Sequence, residues 1–350
     1  MKNIIVNATA LKSGGALTIL KQFISSITDG NKYIIFIDSS VNLDIDKSNV
    51  QLIETYNNSA VKRLYWDYFG LKKWLDNNKV KVDIAISLQN TNFRVGEKIP
   101  NYIYYHQPIP FYNNKWSFFK KKERSLFLYR YIYPLFVKSL INPRTEFFVQ
   151  LEYIKNGFCK RFKIDEKRVH VVFPNVTLPI INENSKIDLS NEKINLFYPA
   201  TSIFYKNHNI IFKALSLLPK DKYTLYLTCK EDEFDENLIK DIDIKFLGSI
   251  PFEKVISYYV SSDALLFPSY IETFGLPLIE AAFCGLPIIA SDLPYSREVL
   301  NGYNGVEYID YNNPKLWADA ISKLEKNKKY LPFQLPQKAS WKEMFDIIEK

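Results

Sequence analysis

Two glutamates eight residues apart, Glu272 and Glu280, frame the stretch 268–292 (PSYIETFGLPLIEAAFCGLPIIASD). Ahead of it, Ala264-Leu265-Leu266-Phe267 is an apolar run of buried-strand type, stopped by Pro268 and Ser269. Residues 272–275 then turn into a helix with Pro277 in its first turn, where proline is tolerated. Cys284-Gly285 is a helix stop, and residues 286–290 form the next strand. A helix N-terminus presents unpaired N–H groups and a partial positive charge. The amides around Thr273, Phe274 and Gly275 are therefore placed to hold a phosphate, with Gly275 allowing close approach. Glu272 in the loop can accept a hydrogen bond from the same ligand, and Glu280 on the helix can reach another hydroxyl. Such a set suits a phosphorylated polyol. The bland alternative is one loop glutamate and one solvated helix glutamate.

Three further groups could do chemistry. Ser13-Gly14-Gly15 follows the strand 3–7 and opens a helix over 16–27. That turn would let a phosphate or sugar approach the backbone, though it reads equally as a plain tight turn. It lacks the spacing of a dinucleotide fingerprint and no P-loop lysine follows. His106, one of three histidines, stands just after the strand 103–105. Ligands of α/β sheets bind at such strand ends, where Gln89 and Asn90 also fall. Lys206 stands just before a helix over 210–217, where a positive charge does the helix no service. A bound diphosphate would reverse that balance; otherwise Lys206 is a surface lysine.

A chain of 350 residues suits two domains of ordinary size. Hydrophobic content is 47%, and no apolar run has the length of a membrane span. The N-terminus does not read as a signal peptide. Three cysteines without pairing spacing argue against a disulfide framework or zinc site, so a cytoplasmic protein is expected. The net charge of +8 is uneven, with 14 Lys/Arg against 5 Asp/Glu between Tyr112 and Arg168. Within this region, 111–140 mixes aromatics with Lys120, Lys121, Lys122, Arg124 and Arg130. It reads as one helix with a core stripe and a solvated basic face, or as a face for anionic lipid or a lipid-diphosphate acceptor. No motif supports nucleic acid.

The elements alternate. Strands are expected at 3–7, 33–37, 51–53, 82–87, 103–105, 145–150 and 169–173, with helices at 61–75 and 152–162 between them. Residues 177–191 are polar and aperiodic, as a linker would be. Strands at 195–198, 223–228 and 244–248 follow, with helices at 252–261 and 314–326. Ser340-Trp341 opens a last amphipathic helix. Asp241-Ile242-Asp243 precedes a strand instead of ending one and reads as a surface turn, not a metal site.

The stretch 268–292 resembles the E-x7-E signature of the family-4 retaining glycosyltransferases. The match covers Ser269, Glu272, Phe274-Gly275-Leu276-Pro277, Glu280-Ala281, Gly285, Pro287 and Ser291-Asp292. The resemblance implies the α/β fold called GT-B: two Rossmann-like domains facing each other across a cleft. Residues 1–174 would bind the acceptor and 175–335 the nucleotide-sugar donor, while 336–350 would pack back on the first domain. The implied reaction moves a sugar from a nucleotide diphosphate sugar to an acceptor hydroxyl with retention of configuration. It needs no cofactor and no metal, because Lys206 and helix N–H groups would stabilise charge on the leaving diphosphate. The acceptor would be a glycan or a lipid-diphosphate-linked one, in bacterial surface polysaccharide synthesis such as O-antigen or capsule. The enzyme would sit in the cytoplasm or peripherally on the inner face of the cell membrane.

By the same resemblance Glu272 orients the sugar and His106 contacts it from the first domain. Donor binding falls to Gly14, Gly15, Ser202, Lys206, Ser249, Ile250, Thr273, Phe274, Gly275, Leu276 and Glu280, the last on the ribose. Family members carry an arginine five residues before the lysine; here that place holds Thr201. This departure keeps a non-catalytic partner subunit open as an alternative, beside a nucleotide-sugar epimerase of the same fold.

Overall fold

The computed structural model describes residues 1–57, 59–112, 114–176, 181, 185–189, 192–334 and 340–349. Most of the expected linker 177–191, and residues 336–339 of the expected C-terminal segment, lie outside them. The chain divides into two compact units, Met1–Asn175 with Gln337–Lys350, and Val176–Pro336.

Unit 1 holds strands β1 (Asn3–Asn7), β2 (Lys32–Asp38), β3 (Val50–Thr55), β4 (Ile84–Ser87), β5 (Asn101–Tyr105), β6 (Thr145–Val149) and β7 (Val169–Val171). They form one parallel sheet in the order β3-β2-β1-β4-β5-β6-β7. Unit 2 holds β8 (Ile194–Tyr198), β9 (Tyr223–Leu227), β10 (Ile244–Phe246), β11 (Ala264–Phe267), β12 (Ile288–Ser291) and β13 (Val306–Ile309). Their parallel order is β10-β9-β8-β11-β12-β13. Both sheets are Rossmann-like. In each, the chain builds one half outward, then returns to the other side of its first strand. That reversal opens a crevice at the strand carboxyl ends, between β1 and β4 and between β8 and β11.

The central strands are apolar on both faces because helices cover both. Ile4, Ile5, Val6, Leu265 and Leu266 are all fully buried. The last helix, Trp341–Glu349, belongs to unit 1. Its face Trp341, Met344, Phe345 and Ile348 follows helical spacing and enters the core cluster of Phe23, Tyr33 and Tyr104.

The structure departs from the expected elements in three places. The expected helix 61–75 is two helical pieces, Ala60–Tyr65 and Leu71–Asn77, joined by a π-helical turn Trp66–Gly70. The Trp66 ring lies over Gly70, where a Cβ would stand 2.8 Å from it. The segment 111–140 is not one helix. Helical structure runs from Arg124 to Ser139 through a second π-helical turn, Leu128–Ile132, and Lys120–Lys122 sit in a turn before it. β13 was not expected: it is an edge strand, only its last residue buried, so its sequence carries little apolar contrast.

Candidate functional site

The crevice of unit 2 is built by two loops. After β8 the chain passes through a turn Phe204–Lys206 and Asn207 in the left-handed region, then enters helix His208–Leu215. After β11 it runs through Ser269 to Gly275 and enters helix Leu276–Phe283. The two loops are tied together. Tyr270 N donates to Tyr205 O at 3.0 Å, and Asn207 Nδ2 donates to Pro268 O at 3.3 Å. Tyr198 Oη holds Lys206 O at 2.7 Å, and Tyr295 Oη holds Ser269 O at 2.7 Å. These bonds fix two side chains that lie 66 positions apart: Lys206 Nζ meets Glu272 Oε1 at 2.5 Å, with side chains only 19% and 13% exposed.

Gly275 caps the helix at φ +87, a conformation an L side chain rarely adopts; its Cβ would also press to 3.3 Å from Leu278. Phe274 beside it is buried, and the helix proper begins at Leu276. Gly285 ends the helix at φ +65, with Tyr330 O where a Cβ would be, 2.3 Å away. Glu280 faces a different neighbour. Tyr259 Oη, on helix Phe252–Ser261, donates to Glu280 Oε2 at 3.0 Å. Burial pushes the Glu280 carboxyl up to about 7, against the pull of that hydrogen bond.

Ser202 lies half-buried in the loop after β8, next to an exposed Thr201. Ser249 and Ile250 follow Gly248, whose φ is +63, in the loop after β10. Ser202, Lys206, Ser249, Ile250 and Glu272 all lie in loops that follow strands of one sheet. Asp241 instead pairs with Lys220 at 2.6 Å, and Asp243 with Lys193 at 2.7 Å, before β10. Among the described residues no group of three or more His, Cys, Asp or Glu side chains is arranged to hold a metal ion.

The crevice of unit 1 contains a cavity of about 480 Å³. Its buried end is polar. Asp67 Oδ1 accepts from Asn7 Nδ2 and Gln89 Nε2, both at 2.8 Å, and Oδ2 from Thr91 Oγ1 at 3.1 Å. Burial pushes the Asp67 carboxyl up to about 7, opposed by those donors and by the Arg63 charge. His106 stands at the end of β5, its backbone N–H bonded to Asn90 Oδ1 at 2.6 Å. Burial holds the imidazole down at about 4, so it is neutral at pH 7. Gly14, at φ +57, and Gly15 open helix Gly14–Ser26 at the surface, and Ala16 after them lines the cavity.

The structure thus brings Lys206 to Glu272, and His106 to Asn90. It adds Tyr259, Arg63, Asp67 and Thr91, which the sequence did not single out. Asp67 stands four and eight residues before the buried Leu71 and Leu75, on the same helical face, and is itself buried.

Residues 180–340 match the family described as "Glycosyl transferases group 1". The O-antigen chain mannosyltransferase RfbU of Salmonella typhimurium is 28% identical over 202 residues, 55% of this chain and 55% of that protein. O-antigen chain mannosyltransferase B of Escherichia coli is 31% identical over 98 residues, 25% of this chain and 26% of its own. The chain therefore spans about half the length, or less, of these curated relatives. Among solved structures, a glycosyltransferase from Rickettsia africae matches with TM-score 0.66 and 18% identity, over 92% of this chain and 87% of that one. WaaG, a glycosyltransferase involved in lipopolysaccharide biosynthesis, matches with TM-score 0.60 and 14% identity, over 92% and 89%. The chain has the GT-B fold of these solved structures and is similar in sequence to the two mannosyltransferases over the spans given.

Proposed function

We propose that this GT-B chain is a retaining glycosyltransferase that moves a sugar from a nucleotide diphosphate sugar to an acceptor hydroxyl, in bacterial surface polysaccharide synthesis. The observation that carries the reading is the Lys206–Glu272 pair at the mouth of helix Leu276–Phe283, on the sheet's switch point. The two charges lie against each other. A donor would divide them. Its diphosphate takes Lys206 and the helix amides, and its sugar hydroxyls take Glu272. As the glycosidic bond breaks, charge builds on the diphosphate, where preset donors stabilise it. Glu280 would hold the ribose hydroxyls. The O-antigen mannosyltransferases among the sequence relatives support the biosynthetic setting.

The test is thermal stabilisation by UDP, GDP, dTDP, ADP and CMP. A ligand that binds only the native state raises Tm. One nucleotide is expected to stabilise the wild type. Lys206→Ala should weaken it about tenfold to a hundredfold, the worth of a charge-assisted bond. Glu280 ionises only near pH 7, so the stabilisation should grow between pH 6 and pH 8, and less so in Glu280→Gln. If no nucleotide stabilises either protein, Thr201 marks a degenerate site and the reading falls to a non-catalytic subunit.

We further propose that segment 118–135 meets an anionic membrane surface. Phe119 is 91% exposed, and Phe118, Leu128, Ile132 and Leu135 are exposed beside it. Arg124 covers the Phe118 ring at 5.1 Å, and Lys120, Lys121 and Lys122 flank them. Aromatics with a basic surround complement an anionic headgroup layer. Each lysine is worth about 1 kcal/mol there. Replacing all three by alanine should therefore cut binding to phosphatidylglycerol vesicles about a hundredfold at low salt. Equal binding by variant and wild type would reject the surface.

A further inference from the structure

The cavity of unit 1 carries more than the proposed donor chemistry requires. It occupies the switch point between β1 and β4, lined by Ala10 and Leu11 after one strand and Gln89, Asn90 and Thr91 after the other. Its volume of about 480 Å³ is that of a small-molecule site. Both π-helical turns border it, through Asp67 and through Leu128, Tyr129 and Ile132. Such turns are rare and concentrate at functional sites.

Its chemistry is graded. The buried end is polar: Asp67, Gln89 and Thr91 are each less than 9% exposed. The exposed end is apolar: Leu128, Tyr129 and Ile132 are 41%, 37% and 41% exposed. Between them stands Arg63. Asp67, four residues on, is its natural helical partner. The three bonds from Asn7, Gln89 and Thr91 already hold that carboxylate. Among the described residues the Arg63 guanidinium makes no hydrogen bond or ion pair. A half-buried, always-charged fork with open donors calls for an oxyanion. The Asp67 carboxyl, pushed up to about 7, opposes that anion only weakly near neutrality.

We propose that this cavity binds the phosphate ester of a long-chain apolar alcohol, with the phosphate on Arg63 and the hydrocarbon leaving past Leu128, Tyr129 and Ile132. Tyr131 and Leu135, three and seven residues on from Leu128, are exposed as well, so a hydrocarbon leaving there meets further apolar side chains. Calling this ligand the acceptor's carrier rests on the glycosyltransferase reading; the binding does not.

The experiment is thermal stabilisation of the full chain by farnesyl phosphate below its micelle concentration, with farnesol and inorganic phosphate as partial probes. Farnesyl phosphate should raise Tm, and each partial probe should bind at least tenfold more weakly. Arg63→Ala should lose tenfold or more for farnesyl phosphate. Arg63→Lys should recover most of it, which a loss of fold would not allow. The Lys120, Lys121, Lys122 triple alanine variant should bind farnesyl phosphate as the wild type does, separating the cavity from the basic surface. The proposal is overturned if farnesyl phosphate gives no shift, if farnesol matches it, or if Arg63→Ala binds unchanged. A nucleotide shift without a farnesyl phosphate shift sinks this site alone. The converse leaves this site standing and sinks the donor reading.

Discussion

Glu272→Ala is expected to lower donor turnover by about 10²–10⁴. Glu272 lies in a crevice where its carboxylate is 13% exposed and bonded to Lys206 at 2.5 Å. When a donor displaces Lys206 onto phosphate, two carboxylate oxygens are left to accept sugar hydroxyls. Hydrogen bonds to a charged group are worth about 1.5–3 kcal/mol each. Two of them give about 3–6 kcal/mol, hence the range stated. If the grip tightens as the sugar approaches its transition state, the loss falls in kcat more than in KM. Stability should suffer less, because the Lys206 ammonium, its ion-pair partner, keeps some access to water. A fall of about 1–3 kcal/mol follows for a partner left unpaired. The assay is nucleoside diphosphate release from the sugar nucleotide whose base stabilises the protein. Turnover within tenfold of wild type would remove Glu272 from the reaction.

What was legible in the sequence follows from what is local. Gly275 and Gly285 need a left-handed backbone or a missing Cβ, and Pro277 fits only a first turn, so these three drew the helix Leu276–Phe283 at sequence level. The helix Trp341–Glu349 declared itself by spacing alone. Parallel α/β sheets followed from alternating apolar runs and helical stretches, and two Rossmann-like domains from the resemblance carried by 268–292. What stayed hidden is either non-local or weakly patterned. Nothing near Lys206 says that Glu272 is its partner; loop-to-loop bonds through Tyr205 and Asn207 do that. Tyr259 reaches Glu280 only because two helices pack. Asp67 lies on the buried face of Leu71 and Leu75, and the groups that hold it there, Asn7, Gln89 and Thr91, come from other elements. β13 is an edge strand whose half-exposed residues blur the apolar alternation.

Trp341→Ala is expected to destabilise unit 1 by about 3–5 kcal/mol, the usual cost of truncating a fully buried large aromatic. Trp341 is 1% exposed. Its ring stacks on Tyr104 at 5.1 Å and meets Phe23 edge-on at 5.9 Å. Its Nε1–H donates to Gln22 Oε1 at 3.0 Å, and that same oxygen accepts from Asn175 N at 3.1 Å. One glutamine on helix Gly14–Ser26 therefore couples the last helix to the last residues of unit 1's main segment. Alanine leaves a cavity between Tyr104 and Phe23, and it strips Gln22 of one donor. Trp341→Phe keeps most of the stacking and loses only the N–H, so it should cost about 1 kcal/mol from the hydrogen bond. Denaturant unfolding of the three proteins separates the terms. An alanine variant as stable as wild type would mean that the C-terminal helix is a passive appendage. A phenylalanine variant as unstable as alanine would put the stabilisation in the Gln22 bond, and not in the stacked rings.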